Sequence, residues 1–231
     1  MNPLPEAELY EESLGYWPYR LSLELVTAKV LERTPLNGSV LDIMCGPGYL
    51  LGKLQEGRSD LWLTGMDLDK RYVRFGRDRY LGVEFFVGDV LNWQPRRLFD
   101  TVVCTGSLHH VPYAQQEAAI ANIASMVKPG GVVVISDCYV EDFNTETERR
   151  LAASRLGYEY LLEAIRNGAT DQVIKWTIDI LYNDVLKEEF KTSLKQRLEP
   201  LQRHFGSVIT IQPWPDHDSG YGDYIHICTP K

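Results

Sequence analysis

The stretch Ser39-Val40-Leu41-Asp42-Ile43-Met44-Cys45-Gly46-Pro47-Gly48 constrains this chain more than any other. Val40, Leu41 and Ile43 form an apolar run, as in a strand buried within a parallel sheet. Gly46 and Gly48 then permit a turn with φ values closed to most residues, and Tyr49-Leu50-Leu51-Gly52-Lys53-Leu54 opens a helix. A strand, a glycine turn and a helix N-terminus bring bare backbone N–H groups up to a ligand, and the helix dipole favours the ligand's anionic end. The acid, Asp42, comes just before the turn, where a carboxylate can meet an ammonium group. That suits an α-amino acid better than a pyrophosphate. Alone, such a turn fits a nucleotide-binding Rossmann unit about equally well.

The residues that follow alternate strand and helix patterns, which implies a parallel, right-handed sheet. Leu61–Asp67 reads as the second strand, ending in an acid 25 residues after Asp42. In nucleotide-type folds an acid at this tip accepts hydrogen bonds from ribose hydroxyls. Asp69 is better placed to cap the next helix. Val83–Val90 is a third strand with Asp89 near its end, and Phe99–Cys104 a fourth, leaving through Thr105-Gly106-Ser107-Leu108-His109-His110. An amphipathic helix through Ala118, Ile120, Ile123 and Met126 is expected to end at Lys128-Pro129-Gly130-Gly131, before a fifth strand, Val132–Asp137.

Leu41–Gly48 resembles the first motif of class I S-adenosylmethionine (SAM)-dependent methyltransferases, an acid followed by a glycine-rich loop. The Phe99-Asp100-Thr101-Val102-Val103 run, the Leu108-His109-His110 exit and the Lys-Pro-Gly-Gly turn match later motifs of that family in its order. The resemblance covers roughly residues 38–138. It implies a doubly wound, mostly parallel α/β sheet of seven strands in the order 3-2-1-4-5-7-6, strand 7 antiparallel. It also implies SAM as cofactor and S-adenosylhomocysteine (SAH) as product. The cofactor-binding positions it implies are Tyr16, Asp42, Met44, Cys45, Gly46, Gly48, Asp67, Leu68, Gly88, Asp89, Val90, Thr105, Gly106 and Ser107. Asp89 would take the adenine amino group, with the next residue's backbone completing the contact. Met44 stands where the family usually has glycine. A dinucleotide-binding dehydrogenase would need a Gly-x-Gly-x-x-Gly turn, which this loop lacks.

Composition narrows the partners. At 231 residues a single domain over residues 1–231 is expected. The formal charge of −8 argues against bulk nucleic-acid substrates, whose binding domains usually show a basic face. Neither a signal peptide nor an apolar run of membrane-spanning length is apparent, so the expectation is a cytoplasmic protein that binds no membrane. A small-molecule substrate and a homodimer are the partners considered. Cys45, Cys104, Cys138 and Cys228 sit in apolar strand-like runs and read as small buried hydrophobes. Asp216, His217 and Asp218 share one loop without a distant partner, so no metal site is expected.

Outside the repeating sheet lie an N-terminal helical cap, residues 1–36, and a helical lid, residues 141–185. The cap's aromatic segment, Tyr10 to Tyr19, reads either as packing for the first helix or as rings closing over the ligands. Thr145-Glu146-Thr147-Glu148 is a capping box opening the first lid helix. A second lid helix carries Val173, Ile174, Ile178 and Leu181, and a third is expected through Leu186, Phe190, Leu194, Leu198 and Leu201 with a break at Pro200. The acceptor pocket is expected from Trp17, Tyr19, His110, Tyr158, Trp176 and Tyr182, with Tyr160 a further candidate.

Methyl transfer from SAM to a small molecule is the leading reading, most readily onto a hydroxyl, with His109 as general base and Asp137 orienting it or holding a substrate hydroxyl. The alternatives are N- or C-methylation, another SAM-dependent reaction, and a non-enzymatic binding module. A metal-dependent catechol mechanism is disfavoured, since the exit of strand four carries no aspartate.

Overall fold

The computed structural model describes residues 6–186 and 189–231, so the first five residues of the expected cap lie outside it. Seven strands form one sheet in the order β3-β2-β1-β4-β5-β7-β6. They are β1 (Ser39–Ile43), β2 (Trp62–Asp67), β3 (Glu84–Val87), β4 (Phe99–Thr105), β5 (Val127–Tyr139), β6 (Ser207–Trp214) and β7 (Gly222–Thr229). β7 runs antiparallel between β5 and β6, and the other neighbours pair in parallel. This is the doubly wound order that the motifs imply.

The sheet is central because its strands are apolar on both faces. In β1, Leu41 and Ile43 join the core under α5 (Tyr113–Ser125) and α8 (Leu194–His204), whereas Val40 joins the core under α2 (Tyr19–Arg33), α3 (Tyr49–Gly57) and α4 (Lys70–Arg79). All three side chains are fully buried, each contributing about 1.5–3 kcal/mol relative to exposure. The crossover from β1 packs on one face and that from β4 on the other. Their carboxyl ends therefore open into a crevice, where open α/β sheets bind ligands.

Two helices close this crevice from the side. α6 (Glu146–Arg166) starts at the expected capping box of Thr145 and Glu148, and Gly168, at φ 75°, turns the chain into α7 (Asp171–Leu186). α1 (Ala7–Leu14) precedes α2 in the N-terminal segment. Trp17 ties this segment to the lid, its indole Nε1 donating to Thr177 Oγ1 at 2.8 Å.

Two expected boundaries are corrected. Lys128–Gly131 is part of β5, since Val127 pairs with Phe99 and Val132 with Thr101 across a bulge. The expected third helix is broken. α7 carries Leu186, an extended stretch carries Phe190, and α8 begins only after the Ser193 cap, with Pro200 inside it. The extended stretch is held by tertiary pairing, as Val140 N donates to Thr192 O at 3.1 Å. Among the described residues no helix is long and apolar enough to cross a membrane.

Candidate active site

The loop after β1 is shaped by its backbone. Met44, Gly46 and Gly48 all have positive φ, at 61°, 54° and 96°. Gly48 also leaves no room for a side chain, because a Cβ there would lie 2.7 Å from the Phe85 ring. Met44 takes a conformation that costs a non-glycine residue about 1–2 kcal/mol. Its carbonyl accepts from Ser107 Oγ at 3.1 Å, which ties the β1 loop to the β4 exit.

Two acids sit behind this loop. Asp67, at the tip of β2, accepts from Gly46 N at 2.7 Å and from Asp69 N at 2.8 Å. Asp42 is buried in β1, and its Oδ1 has no hydrogen-bond partner. Burial, reinforced by the nearby Asp67, pushes its carboxyl well above the ordinary range. A buried carboxylate without a donor is costly, so Asp42 is poised for a cationic group.

Loop and acids open onto a cavity of about 620 Å³. Of the expected cofactor positions, Asp42, Met44, Cys45, Gly46, Asp67, Leu68, Gly88, Asp89, Val90, Thr105, Gly106 and Ser107 line it. Tyr16 and Gly48 do not. Gly48 instead shapes the turn, and Tyr16 packs in the cluster joining the N-terminal segment to the lid. Tyr10, Tyr49 and Tyr72 line it too. Tyr10 and Tyr49 lay in stretches that sequence marked, the aromatic N-terminal segment and the helix start after the glycine turn.

The other end of the cavity is set by helix geometry. Trp17, Tyr19, His110, Trp176 and Tyr160 line it. Tyr158 is two residues from Tyr160 on α6 and Tyr182 six from Trp176 on α7, so both turn away and are more than half exposed. Leu156, Gly157, Thr177, Ile180, Asn183 and Asp184 complete the lid's inner face. Glu189 and Lys191, from the stretch between α7 and α8, also reach in. No local motif announces these two.

His109 is buried in a short 3-10 turn, Leu108–His110, after β4. Its Nδ1 donates to Asp137 Oδ1 at 2.5 Å, while its Nε2 lies 3.4 Å from Glu189 Oε2, on the cavity side. Asp137 itself stays behind the wall. Burial pushes the imidazole below its usual value, outweighing the pull of Asp137, so it is neutral near pH 7. Burial would raise the Asp137 carboxyl, but His109 and, 3.7 Å away, the buried Arg197 of α8 hold it low. A neutral imidazole with its Nδ1 proton fixed offers its Nε2 lone pair to the cavity.

Residues 40–131 match a protein family described as a methyltransferase domain. The chain has, at a TM-score of 0.60, the fold of the magnesium protoporphyrin IX methyltransferase of Synechocystis PCC 6803 solved with bound SAH, over 93% of this chain and 84% of that one at 17% identity. That matched segment and the strand order are those of a class I SAM-dependent methyltransferase domain. The chain is 33% identical over 147 residues to the ubiquinone biosynthesis O-methyltransferase of Xanthomonas euvesicatoria pv. vesicatoria, which spans 60% of this chain and 57% of that protein. It is 28% identical over 127 residues to an uncharacterised methyltransferase of Bacillus mycoides (strain KBAB4), covering 54% of this chain and 58% of the relative. The chain thus spans somewhat over half the length of these two relatives. The residues of this site fit SAM: the unpartnered Asp42 Oδ1 can meet the cationic methionine end, Gly46 leaves its side of the loop open, and Asp67 and Asp89 line the same cavity.

Proposed function

We propose that this chain transfers a methyl group to a hydroxyl oxygen of a small-molecule acceptor, with His109 as general base. The observation that carries this reading is the His109–Asp137 pair beside the cavity that Asp42, Asp67 and Asp89 also line. SAM, when bound, supplies a sulfonium methyl that is already electrophilic. The chain's residues must therefore align the acceptor and remove its proton. The acceptor oxygen forms the new C–O bond, the C–S bond breaks, and the hydroxyl proton goes to His109 Nε2. Asp137 fixes the tautomer through Nδ1 and balances the imidazolium that forms. Trp17, Tyr19, Tyr160 and Trp176 enclose the acceptor and exclude water.

The test is turnover with methyl-labelled SAM on hydroxyl acceptors found by screening. His109→Ala is expected to lower kcat by about 10²–10⁴. His110→Ala should cost less, because its side chain is more exposed than that of His109 and its Nδ1 is engaged by Glu189 at 2.8 Å. Near-normal kcat in His109→Ala on a hydroxyl acceptor would place the base elsewhere.

A further inference from the structure

The two histidines have a second property that the base reading leaves unused. Their rings lie 4.2 Å apart between centroids and are tilted by 53°. Both reach one carboxylate: Glu189 Oε2 is 2.8 Å from His110 Nδ1 and 3.4 Å from His109 Nε2. The three atoms lie within 4.8 Å of one another. Three ligands about 2.0–2.1 Å from a common ion stand about 3.3 Å apart in tetrahedral geometry. The two measured separations from Glu189 straddle that value.

We propose that His109, His110 and Glu189 form a binding site for one divalent transition metal of the zinc type, with the remaining coordination position open to the cavity. Two imidazoles and a carboxylate make a borderline donor set suited to zinc, cobalt or iron and poor for magnesium or calcium, which prefer all-oxygen shells. The outer shell is in place. Asp137 holds the far nitrogen of His109, as carboxylates do behind metal-bound imidazoles. Glu189 Oε2 is buried with His110 Nδ1 at 2.8 Å and His109 Nε2 at 3.4 Å, so a cation seated among the three would take the place of the proton that His110 shares with it.

The ligands are also held in place by the chain. Phe190 N donates to His109 O at 2.7 Å, and Gln116 Nε2 bridges Val111 O and Phe190 O at 2.8 Å each. The segment carrying Glu189 is thereby fastened to the turn carrying both histidines. The nearby cation Lys191 is engaged by Asp184. The sequence offers no metal motif here, since Asp216, His217 and Asp218 share one loop and the exit of strand four carries no aspartate. The third ligand comes instead from beyond the lid, brought in only by folding.

The site stands independently of the base reading, but its consequence rests on it. A metal on His109 Nε2 takes the lone pair that would accept the acceptor proton, so loading the site should suppress transfer to a hydroxyl.

The test uses the full chain, stripped with a chelator and titrated calorimetrically with Zn²⁺. One Zn²⁺ per chain is expected, with affinity at least about tenfold weaker in both Glu189→Gln and His110→Ala. Affinity should be unchanged in Cys138→Ser, and Mg²⁺ should give no binding heat. Co²⁺ should give visible absorption that Glu189→Gln loses. Absence of one-to-one Zn²⁺ binding in a wild-type chain that binds SAH would overturn the site. So would unchanged affinity in Glu189→Gln or His110→Ala, or loss of binding in Cys138→Ser. Zn²⁺ binding as expected with transfer untouched would leave the site standing and remove His109 as the base. Failure of Zn²⁺ to bind, with kcat lost in His109→Ala, would do the reverse.

Discussion

Under the strand tips, the cavity is lined by residues within a few positions of a strand's end: Met44 to Gly46 after β1, Asp67 and Leu68 at β2, Gly88 and Asp89 after β3, Thr105 to Ser107 at β4. The opposite end draws on α1, Trp17, α6, α7 and the 189–191 stretch, which meet only once the chain has folded. The first end reuses one local device four times, a strand whose last residues leave the sheet facing a ligand. The second is a set of long-range contacts, with Trp17 bonded to Thr177 and Gln116 to the carbonyl of Phe190. A shared cofactor fits the first arrangement. An acceptor particular to one enzyme fits the second, because a lid can change without disturbing the sheet.

The harshest way to break the acceptor end is to remove what lies behind it. Arg197 and Asp137 are both buried, so Arg197→Met takes the guanidinium from beside the Asp137 carboxylate and leaves it the bonds from His109 and Cys138 N. Breaking such a pair typically costs about 3–5 kcal/mol. Urea unfolding of Arg197→Met should show a loss of that order, and an unchanged midpoint would mean that the pair carries no weight.

At the cofactor end the corresponding change is Asp67→Ala. The ribose role implied for Asp67 by its place at the tip of β2 predicts that its loss weakens SAH by about 1.5–3 kcal/mol in a folded variant. Unchanged affinity would remove the ribose role.

A smaller effect tests how the lid is tied to the sheet. Asp223 of β7 is buried and bonded to Tyr160 of α6, and burial pushes its carboxyl up to about 7. A carboxyl raised in the folded state above its unfolded value near about 3.9 stays protonated on folding. Its stabilising contribution is complete below the unfolded value and is lost as pH rises through about 7. Stability should therefore decline between about pH 4 and 7, at no more than about 1.4 kcal/mol per pH unit from this group. Asp223→Asn should flatten that slope in melts across the range, and an unaltered slope would assign it to other groups.

Met44→Gly should have the least effect. Relief of the positive φ is offset by glycine's greater freedom in the unfolded chain and by lost packing against the core. A stability change within about 1 kcal/mol is expected, with SAH affinity within about tenfold. A large gain in affinity would show that Met44 obstructs the cofactor end.

Sequence exposed these two ends unequally, for physical reasons. The strands and their loop chemistry are written locally, as apolar runs, terminal acids and glycines at positive φ, and so Asp42, Asp67 and Asp89 could be picked out one by one, while the strand order came with the family resemblance. The lid helices were visible through one capping box, Thr145 to Glu148, and through apolar spacing, yet not which face turned inward. Tyr160 and Trp176 point in while Tyr158 and Tyr182 do not, because the packing partners of α6 and α7 decide the face. Periodicity failed between Leu186 and Leu194, where pairing with Val140 overrides it. Glu189 lies in that gap.

The separation of the two ends is tested most directly by calorimetric titration of SAH into His109→Ala and Asp67→Ala side by side, with kcat measured on the same preparations. His109→Ala is expected to bind SAH as the wild type does while its kcat falls by about 10²–10⁴, and Asp67→Ala to lose SAH affinity. Loss of SAH affinity in His109→Ala comparable to that in Asp67→Ala would contradict the separation and make the cavity a single coupled site.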